Sequence, residues 1–468
     1  MFALPVLPVL LWTDLLIYSL FISVFFAARR IRHYPHLVAP WRHIFTRRRG
    51  VIAVFILFSY LIIALLDSIH FRLALPSKAD QQQHYATEVV SLLDIGLQSL
   101  KQNTEKTYSA PFAITSYSKT LHQQNGALTH SYPRLQYGGS HILSGESQWS
   151  DIILKIGQAL TTGLVGVLIF FSSIAVILAR KAGCSIKRLW QQLQCSPYPI
   201  KTILWVVGSG AITVYAVLFL SQYYHVLGTD KVGQDVLYQT IKSIRTGIVI
   251  GTLTTLVMLP LAIGLGVMAG FFRGWIDDLI QYLYTTLNSI PGVLLIAAAV
   301  LMLQVYMTNN AEQFTTIAER ADMRLLALCI ILGMTSWTGL CRILRAETLK
   351  LREAEYVQAA KVAGLSHWQI LKRHIVPNVM HLVIVAIVLD FSGLVLAEAV
   401  LSYVGVGVDP SMISWGNMIN SARLEMAREP VVWWSLMAAF LLMFILVLAA
   451  NLFADTVRDA FDPRVPLV

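Results

Sequence analysis

Residues 355–378 read EYVQAAKVAGLSHWQILKRHIVPN. The stretch is amphipathic and basic, and it lies between long apolar runs. It cannot be buried in lipid, so it belongs in water at a membrane face, with one side free to touch something else. Tyr356, Ala359, Ala360 and Ala363 fall at i, i+3, i+4 and i+7, which predicts one apolar face of a short helix. Gly364 ends that helix, as a residue free to take positive φ does. Ser366 with Gln369 has the spacing of a capping box and opens a second helix. Trp368, Leu371 and Ile375 line one side of it, and Lys372, Arg373 and His374 face elsewhere. Pro377 removes a backbone donor and separates this helix from the apolar run that follows.

Working outward, the chain of 468 residues is 56% hydrophobic and 13% charged. Soluble domains carry about 25% charged residues, so this is a polytopic, all-α membrane protein rather than a globular enzyme with an anchor. The net charge of +10 marks cytoplasmic loops, and nucleic acid need not be invoked. The 12 histidines are scattered, and the four cysteines (Cys184, Cys195, Cys329, Cys341) form no CxxC or zinc pattern. No metal site is expected.

Nine spans of roughly 20 apolar residues are expected, at about 4–28, 50–66, 152–179, 202–221, 246–271, 279–305, 325–343, 378–403 and 431–453. No basic n-region or small-residue cleavage site accompanies the first, so a removable leader is not expected. Basic residues flank alternate loops: Arg29 to Arg49, Arg180 to Lys201, and Arg342 to Lys350. The positive-inside rule puts those loops in the cytoplasm, the N-terminus outside and the C-terminus inside. A polar segment at 67–151 then faces outward. Its part from Gln81 to Leu100 reads as mostly helical, and 108–147 as irregular or strand-like. It is either a cap packed on the spans or a docking site for a partner.

Several motifs punctuate the second half. Gly228, Thr229, Asp230, Gly233 and Asp235 precede a stretch that reads as an amphipathic helix on the outer surface, with the aspartates as caps. Pro291-Gly292 interrupts the sixth span, either as a bend lining a pathway or as ordinary membrane proline. Asp390 and Glu398 are ionisable groups in the eighth span and functional candidates on that ground; Glu398 serves either gating or contact with cargo, or a packing hydrogen bond between helices. Ser414, Trp415, Gly416 and Asn417 follow in an outer loop, with Trp415 as an interfacial anchor. The end reads DTVRDAFDPR, 455–464.

The pattern Gln358-Ala359-Ala360, Gly364, Pro377 resembles the EAA loop of ABC-importer permeases, with Gln358 where that family has glutamate. Residues 228–235 resemble the GTDxxGRD motif of the dipeptide/oligopeptide branch, with Gln234 in place of its arginine. Leu396 to Gly407 resembles LAEAxLSFLGLG, and 414–418 and 455–464 resemble the family's SWGNM and its C-terminal ending. The resemblance covers about residues 205–464.

The resemblance implies a type I importer permease: a six-helix core at 202–468 with a coupling helix at 347–377. Ahead of it stand two spans at 1–66, the extracytoplasmic insert at 67–151, and a third span with its basic loop at 152–201. It implies Glu355, Tyr356, Gln358, Ala359, Ala360, Gly364, Ser366 and Pro377 as the ATPase-coupling surface. The chain has no G-x-x-x-x-G-K-[ST] segment. The resemblance accordingly assigns ATP and magnesium to two separate ATPase subunits, beside a second permease subunit and an extracytoplasmic peptide-binding protein, in a bacterial inner membrane. The function implied is ATP-driven import, most simply of di- and oligopeptides, by alternating access. The alternatives are an ion-coupled secondary transporter or, for 1–201, an assembly scaffold.

Overall fold

The computed structural model describes residues 6–33, 35–75, 84–124, 127–142, 147–310, 312 and 316–461. The end of the C-terminal motif, 462–464, lies outside them. Among the described residues nine helices or joined helix pairs are long and apolar enough to cross a membrane, in the expected order.

The first apolar run begins differently from expectation. Val6–Val9 is a strand, β1, and α1 starts only at Trp12 and runs to Ile31. Pro8 explains the delay, since it cannot sit in a helix interior without losing a hydrogen bond. After a short helix α2 (Pro35–Thr46), α3 spans Arg48–Asp67. Two strands follow, β2 (His70–Leu73) and β3 (Val90–Ser91), and they complete an antiparallel sheet in the order β1-β2-β3. The segment expected to be helical up to Leu100 has no helix over 84–91 and then forms only α4 (Leu92–Gly96) and α5 (Gln98–Gln102); 81–83 lie outside the described residues. A hairpin, β4 (Thr120–Gln124) with β5 (Ala127–Ser131), follows. Then come α6 (Gln148–Ala182), α7 (Ile186–Gln194) and α8 (Ile200–Leu220).

The centre of the molecule is α9, Val236–Phe272. The amphipathic outer helix expected ahead of the fifth span is not separate. It forms the first turns of α9, and Val236, Leu237 and Tyr238 are buried there. Small residues along α9 let other helices approach, as in many membrane bundles. A Cβ on Gly247 would stand 2.9 Å from Trp415, one on Gly251 2.4 Å from the Phe391 ring, and one on Gly270 2.6 Å from Thr348.

Beyond α9 the order is α10 (Trp275–Ser289), α11 (Gly292–Asn309), α12 (Ile317–Ser336) and α13 (Thr338–Arg352). Two short helices, α14 (Glu355–Val362) and α15 (His367–Ile370), lead to α16 (Val376–Tyr403), α17 (Trp415–Glu425) and α18 (Trp434–Phe461). The expected sixth span is broken rather than bent: α10 stops at Ser289, Ile290 is extended and Pro291 caps α11. The last helix runs through Asp455–Phe461, so that part of the motif is helix rather than free tail.

The packing of the spans does not follow simple chain order. The place beside α9 and α18 belongs to α3. Its Ala53 and Ala64 are buried, and its Tyr60 hydroxyl donates to the Leu442 carbonyl at 2.9 Å. The expected first core span, α8, instead pairs with α6 and meets the edge of α3. Only Gly208 and Leu220 of α8 are buried. It lacks the buried alanines and tyrosine that seat α3.

α1 is tied to the core by charge. Arg245 on α9 is buried and donates to Asp14 at 2.6 Å and to Thr13 at 3.3 Å. Asp14 also meets His70 Nδ1 at 2.7 Å, and the Thr13 backbone N–H donates to Asp322 on α12 at 3.2 Å.

The insert is tied down by the GTD motif. Thr229, fully buried, donates to the Thr107 carbonyl at 2.9 Å and accepts from the Ser109 N–H at 2.7 Å. Gly228 and Gly233 both have positive φ, and the chain of the insert presses on them. A Cβ on Gly233 would sit 1.8 Å from the Glu105 carbonyl oxygen. Asp235 caps α9, accepting from Leu237 N at 2.8 Å, and turns its other oxygen to His225 Nδ1 at 2.7 Å. Glu105 approaches the other side of His225 at 3.5 Å and accepts from the backbone N–H groups of Gln136, Tyr137 and Gly138.

Burial alone would pull the His225 pKa down, but hydrogen bonds and charges from Asp235 and Glu105 push it up to about 9. Burial would raise Glu105, but its hydrogen bonds to His225 and to the three N–H groups bring it down to about 2. At the next contact Asp94 on α4 accepts from the Tyr238 hydroxyl at 2.8 Å and pairs with Lys242. Against the upward pull of burial, the Lys242 charge holds Asp94 at about 2.

Two outcomes follow. Replacing Arg245 by Met leaves Asp14 with only His70 beside it and should cost about 3–5 kcal/mol, the penalty for breaking a buried pair. Thermal unfolding in detergent measures it, and an unchanged midpoint would show that Arg245 does not hold α1. His225 titrates above its ordinary pKa, so its contribution is full below about pH 6.5 and is lost as pH rises through about 9. Glu105 titrates below its ordinary value, so its contribution is present above about pH 4.5 and is lost only as pH falls through about 2. The unfolding midpoint should therefore fall between about pH 7 and pH 10 in the natural chain, and His225→Gln should flatten that decline.

Candidate coupling and transport site

The stretch from Glu355 to Asn378 forms a knob at the end of the bundle opposite the insert. α13 brings the chain out, and α13 itself is fixed by a two-pronged ion pair, Arg345 to Asp277 at 2.6 and 2.7 Å. The Asp277 carboxyl is held low, first by its hydrogen bonds from Arg345. Arg352 donates to the Phe271 carbonyl at 2.9 Å, which ties the exit of α13 to the end of α9.

α14 then turns back. Gly364 has φ +80, with its N–H bonded to the Lys361 carbonyl and the Leu365 N–H to the Ala360 carbonyl. That left-handed turn suits glycine. The capping box forms: Ser366 accepts from Gln369 N at 3.4 Å, and the Gln369 side chain accepts from Ser366 N at 3.0 Å. The Tyr356 hydroxyl accepts from Asn378 Nδ2 at 3.1 Å and links entry to exit.

The buried face differs from the expected one. Val357 and Ala360 point inward, while Tyr356, Ala359 and Ala363 are exposed. In the second helix Ile370, Leu371 and Ile375 are buried and Trp368 is exposed. These inward residues join a core that includes Val267 and Phe271 of α9 and Leu344 of α13. A register shifted by one position explains the difference, because the alanines are small enough to sit on either face.

Pro377 does not separate the second helix from the span. α15, a π turn at Leu371–Ile375 and α16 run on as one helix, with Pro377 at the start of α16. The wider π turn just before Pro377 lets the chain pass the proline without a break. The knob is therefore the end of the α16 rod.

Outside the knob, Gln358 donates to the Arg352 carbonyl at 2.9 Å and so closes the α13–α14 corner. Glu355 lies exposed beside it. On the knob's outer surface Val362 is 90% exposed and Trp368 71% exposed.

The remaining candidates fall into two groups. Gly228, Thr229, Asp230, Gly233 and Asp235 form the seat of the insert. There Asp230 accepts from Val232 N and Gln234 N at 2.9 Å, and Gln234 accepts from Gln239 at 3.0 Å. Ser414, Trp415, Gly416, Asn417 and Glu398 come together at the start of α17. Ser414 caps it, accepting from Asn417 N at 3.0 Å. Trp415 is no interfacial anchor: it is 1% exposed, and its indole N–H donates to the Thr240 carbonyl at 3.1 Å. The glycines of α9 open the space that takes the ring. Glu398 is buried and accepts from Ser402 at 2.7 Å, and a Cβ on Gly416 would sit 2.7 Å from its carboxylate.

Asp390 is half-buried two turns from Glu398 and makes no hydrogen bond among the described residues. Pro291 is exposed at the α10–α11 break. The structure brings neither to the Glu398 cluster. Sequence reading missed Arg245, Asp14, Asp322, His225 and Glu105. The first two were open to detection, since Arg245 borders an apolar run and Asp14 lies inside one.

Residues 262–466 match the family described as the inner membrane component of binding-protein-dependent transport systems. The chain is 31% identical over 242 residues to the glutathione transport system permease GsiD of Pectobacterium atrosepticum, covering 51% of this chain and 73% of that protein. It is 31% identical to the oligopeptide transport system permease OppC of Mycobacterium tuberculosis, covering 51% and 76%. It is 30% identical to OppC of Haemophilus influenzae over 268 residues, covering 57% and 77%. With its helical bundle and nine candidate spans, the chain belongs to the binding-protein-dependent inner membrane transport components, as an ABC-importer permease of the peptide and glutathione type.

Proposed function

We propose that this chain is one half of the membrane pathway of an ATP-driven peptide importer. A second permease subunit supplies the other half, and two ATPase subunits hold ATP and magnesium. A binding protein delivers cargo at the end that carries the insert. In this reading the N-terminus lies outside and the C-terminus in the cytoplasm, as the basic residues around Arg47 and Arg352 favour.

The observation that carries the reading is the knob. It is rooted by a buried apolar base and still exposes Val362 and Trp368 at the end of a membrane rod. Exposed apolar side chains grouped at a watery face point to a protein partner. We assign Glu355, Tyr356, Gln358, Ala359, Ala360, Gly364, Ser366 and Pro377 to the build of this contact. Ala359 and Val362 meet the ATPase by shape, while Gln358 and Ser366 hold the corner internally. When ATP closes the ATPase pair, the knob moves and α16 moves with it. Nucleotide drives the change only through its different affinity for the two states.

Glu398, with Gly416 laid on it, is then a joint that keeps α17 on α16 as the rod shifts. Asp390 and Pro291 are the candidates for the pathway wall.

Val362→Glu and Trp368→Ala should each lower ATPase co-purification and peptide uptake about tenfold or more, without loss of the chain from the membrane. Gly364→Val should act through the backbone, since a Cβ there meets nothing within 4 Å. Full uptake in both surface variants would remove the coupling role.

A further inference from the structure

Between α3 and α8 lies a groove that transport leaves unused. The two helices touch where Gly210 meets Phe55: a Cβ on Gly210 would stand 2.9 Å from that ring. From there toward the basic end they enclose a cavity of about 450 Å³, lined by Phe45, Val54, Phe58, Ile203 and Val206. Ligand pockets run to roughly 300–1,000 Å³. Tyr198 is a common wall to a second cavity of about 290 Å³, lined by Arg48, Trp190, Lys201 and Thr202. Neighbouring Arg47 is paired with Asp459. Arg48 and Lys201 have no carboxylate partner among the described residues.

We propose that this pair of cavities binds one anionic phospholipid, with its phosphate against Arg48 and Lys201 and one acyl chain in the groove. The charge argument decides the class. Two unpaired cations at the mouth of an apolar slot between membrane helices match a headgroup with net negative charge. A zwitterionic lipid brings its own ammonium to the same cations and is disfavoured. A free phosphate leaves the apolar slot unfilled. The bound lipid then fills the wedge between α3, which belongs to the transport core, and the α6–α8 pair, whose own contact with α3 is narrow.

Native mass spectrometry of the full chain in detergent tests this, with phosphatidylglycerol, phosphatidylcholine or inorganic phosphate added in turn. One phosphatidylglycerol should be retained at least tenfold more tightly than phosphatidylcholine, with no retained phosphate. The double variant Arg48→Gln, Lys201→Gln should lose that preference, and Arg48→Lys should keep it. Val206→Trp should expel the lipid while leaving both charges in place. The proposal is overturned if the double variant retains phosphatidylglycerol unchanged, if phosphatidylcholine binds equally, if Val206→Trp has no effect, or if phosphate alone is retained.

Discussion

Close approach of helices to the glycine and threonine surface of α9 is the constraint on which the rest depends. Lipid offers no hydrophobic drive for one helix to bind another, so contacts between backbones and well-filled side chains must do that work. Gly247 admits Trp415, Gly251 admits Phe391, and Gly266 and Gly270 admit α13 at Cys341 and Thr348. Each of these contacts positions a different element: the α17 joint, the α16 rod and the α13 strut. Filling any one of them with a side chain would displace an element needed elsewhere.

From that axis the two ends of the molecule are organised by different physics. At one end, polar groups dominate. Asp235 serves both as helix cap and as partner of His225, and the Thr229 hydroxyl adds to the backbone pairing between the insert and the motif. Buried groups of this kind are stable only when every partner is present, which explains why the insert follows the motif so closely. At the other end the knob relies on an apolar base and on continuity with α16. A rod of 37 residues, His367–Tyr403, joins the knob to the bundle without a break at Pro377. Its π turn is the one place where the regular helix changes pitch, directly beneath the exposed face.

The number and order of the spans were legible in the sequence, because runs of some twenty apolar residues admit few readings. So were the turn at Gly364 and the capping box at Ser366, which are local and depend on neighbours within four residues. What escaped was tertiary. Ala359 and Ala360 are equally at home inside or outside, so the buried face of α14 was read one position off. Trp415 resembles an interfacial anchor until Gly247 is seen to open a slot for it. The choice of α3 over α8 beside α9 depends on which helix carries buried alanines and a tyrosine able to reach the Leu442 carbonyl, and hydropathy is blind to that. Pairings such as Glu105 with His225, or Asp14 with Arg245, join residues more than a hundred positions apart and leave no periodic trace.

The most direct measurement is a cross-link from the knob in the assembled transporter. With Cys184 and Cys195 replaced by serine, a single Val362→Cys would be treated with a short bismaleimide in native membranes. The account predicts an adduct with the ATPase subunit that changes in yield when ATP is added. It also predicts no such adduct from a cysteine placed at Trp149, an exposed position at the insert end of α6. Absence of the Val362 adduct in an active transporter, or an ATPase adduct from position 149 instead, would contradict it.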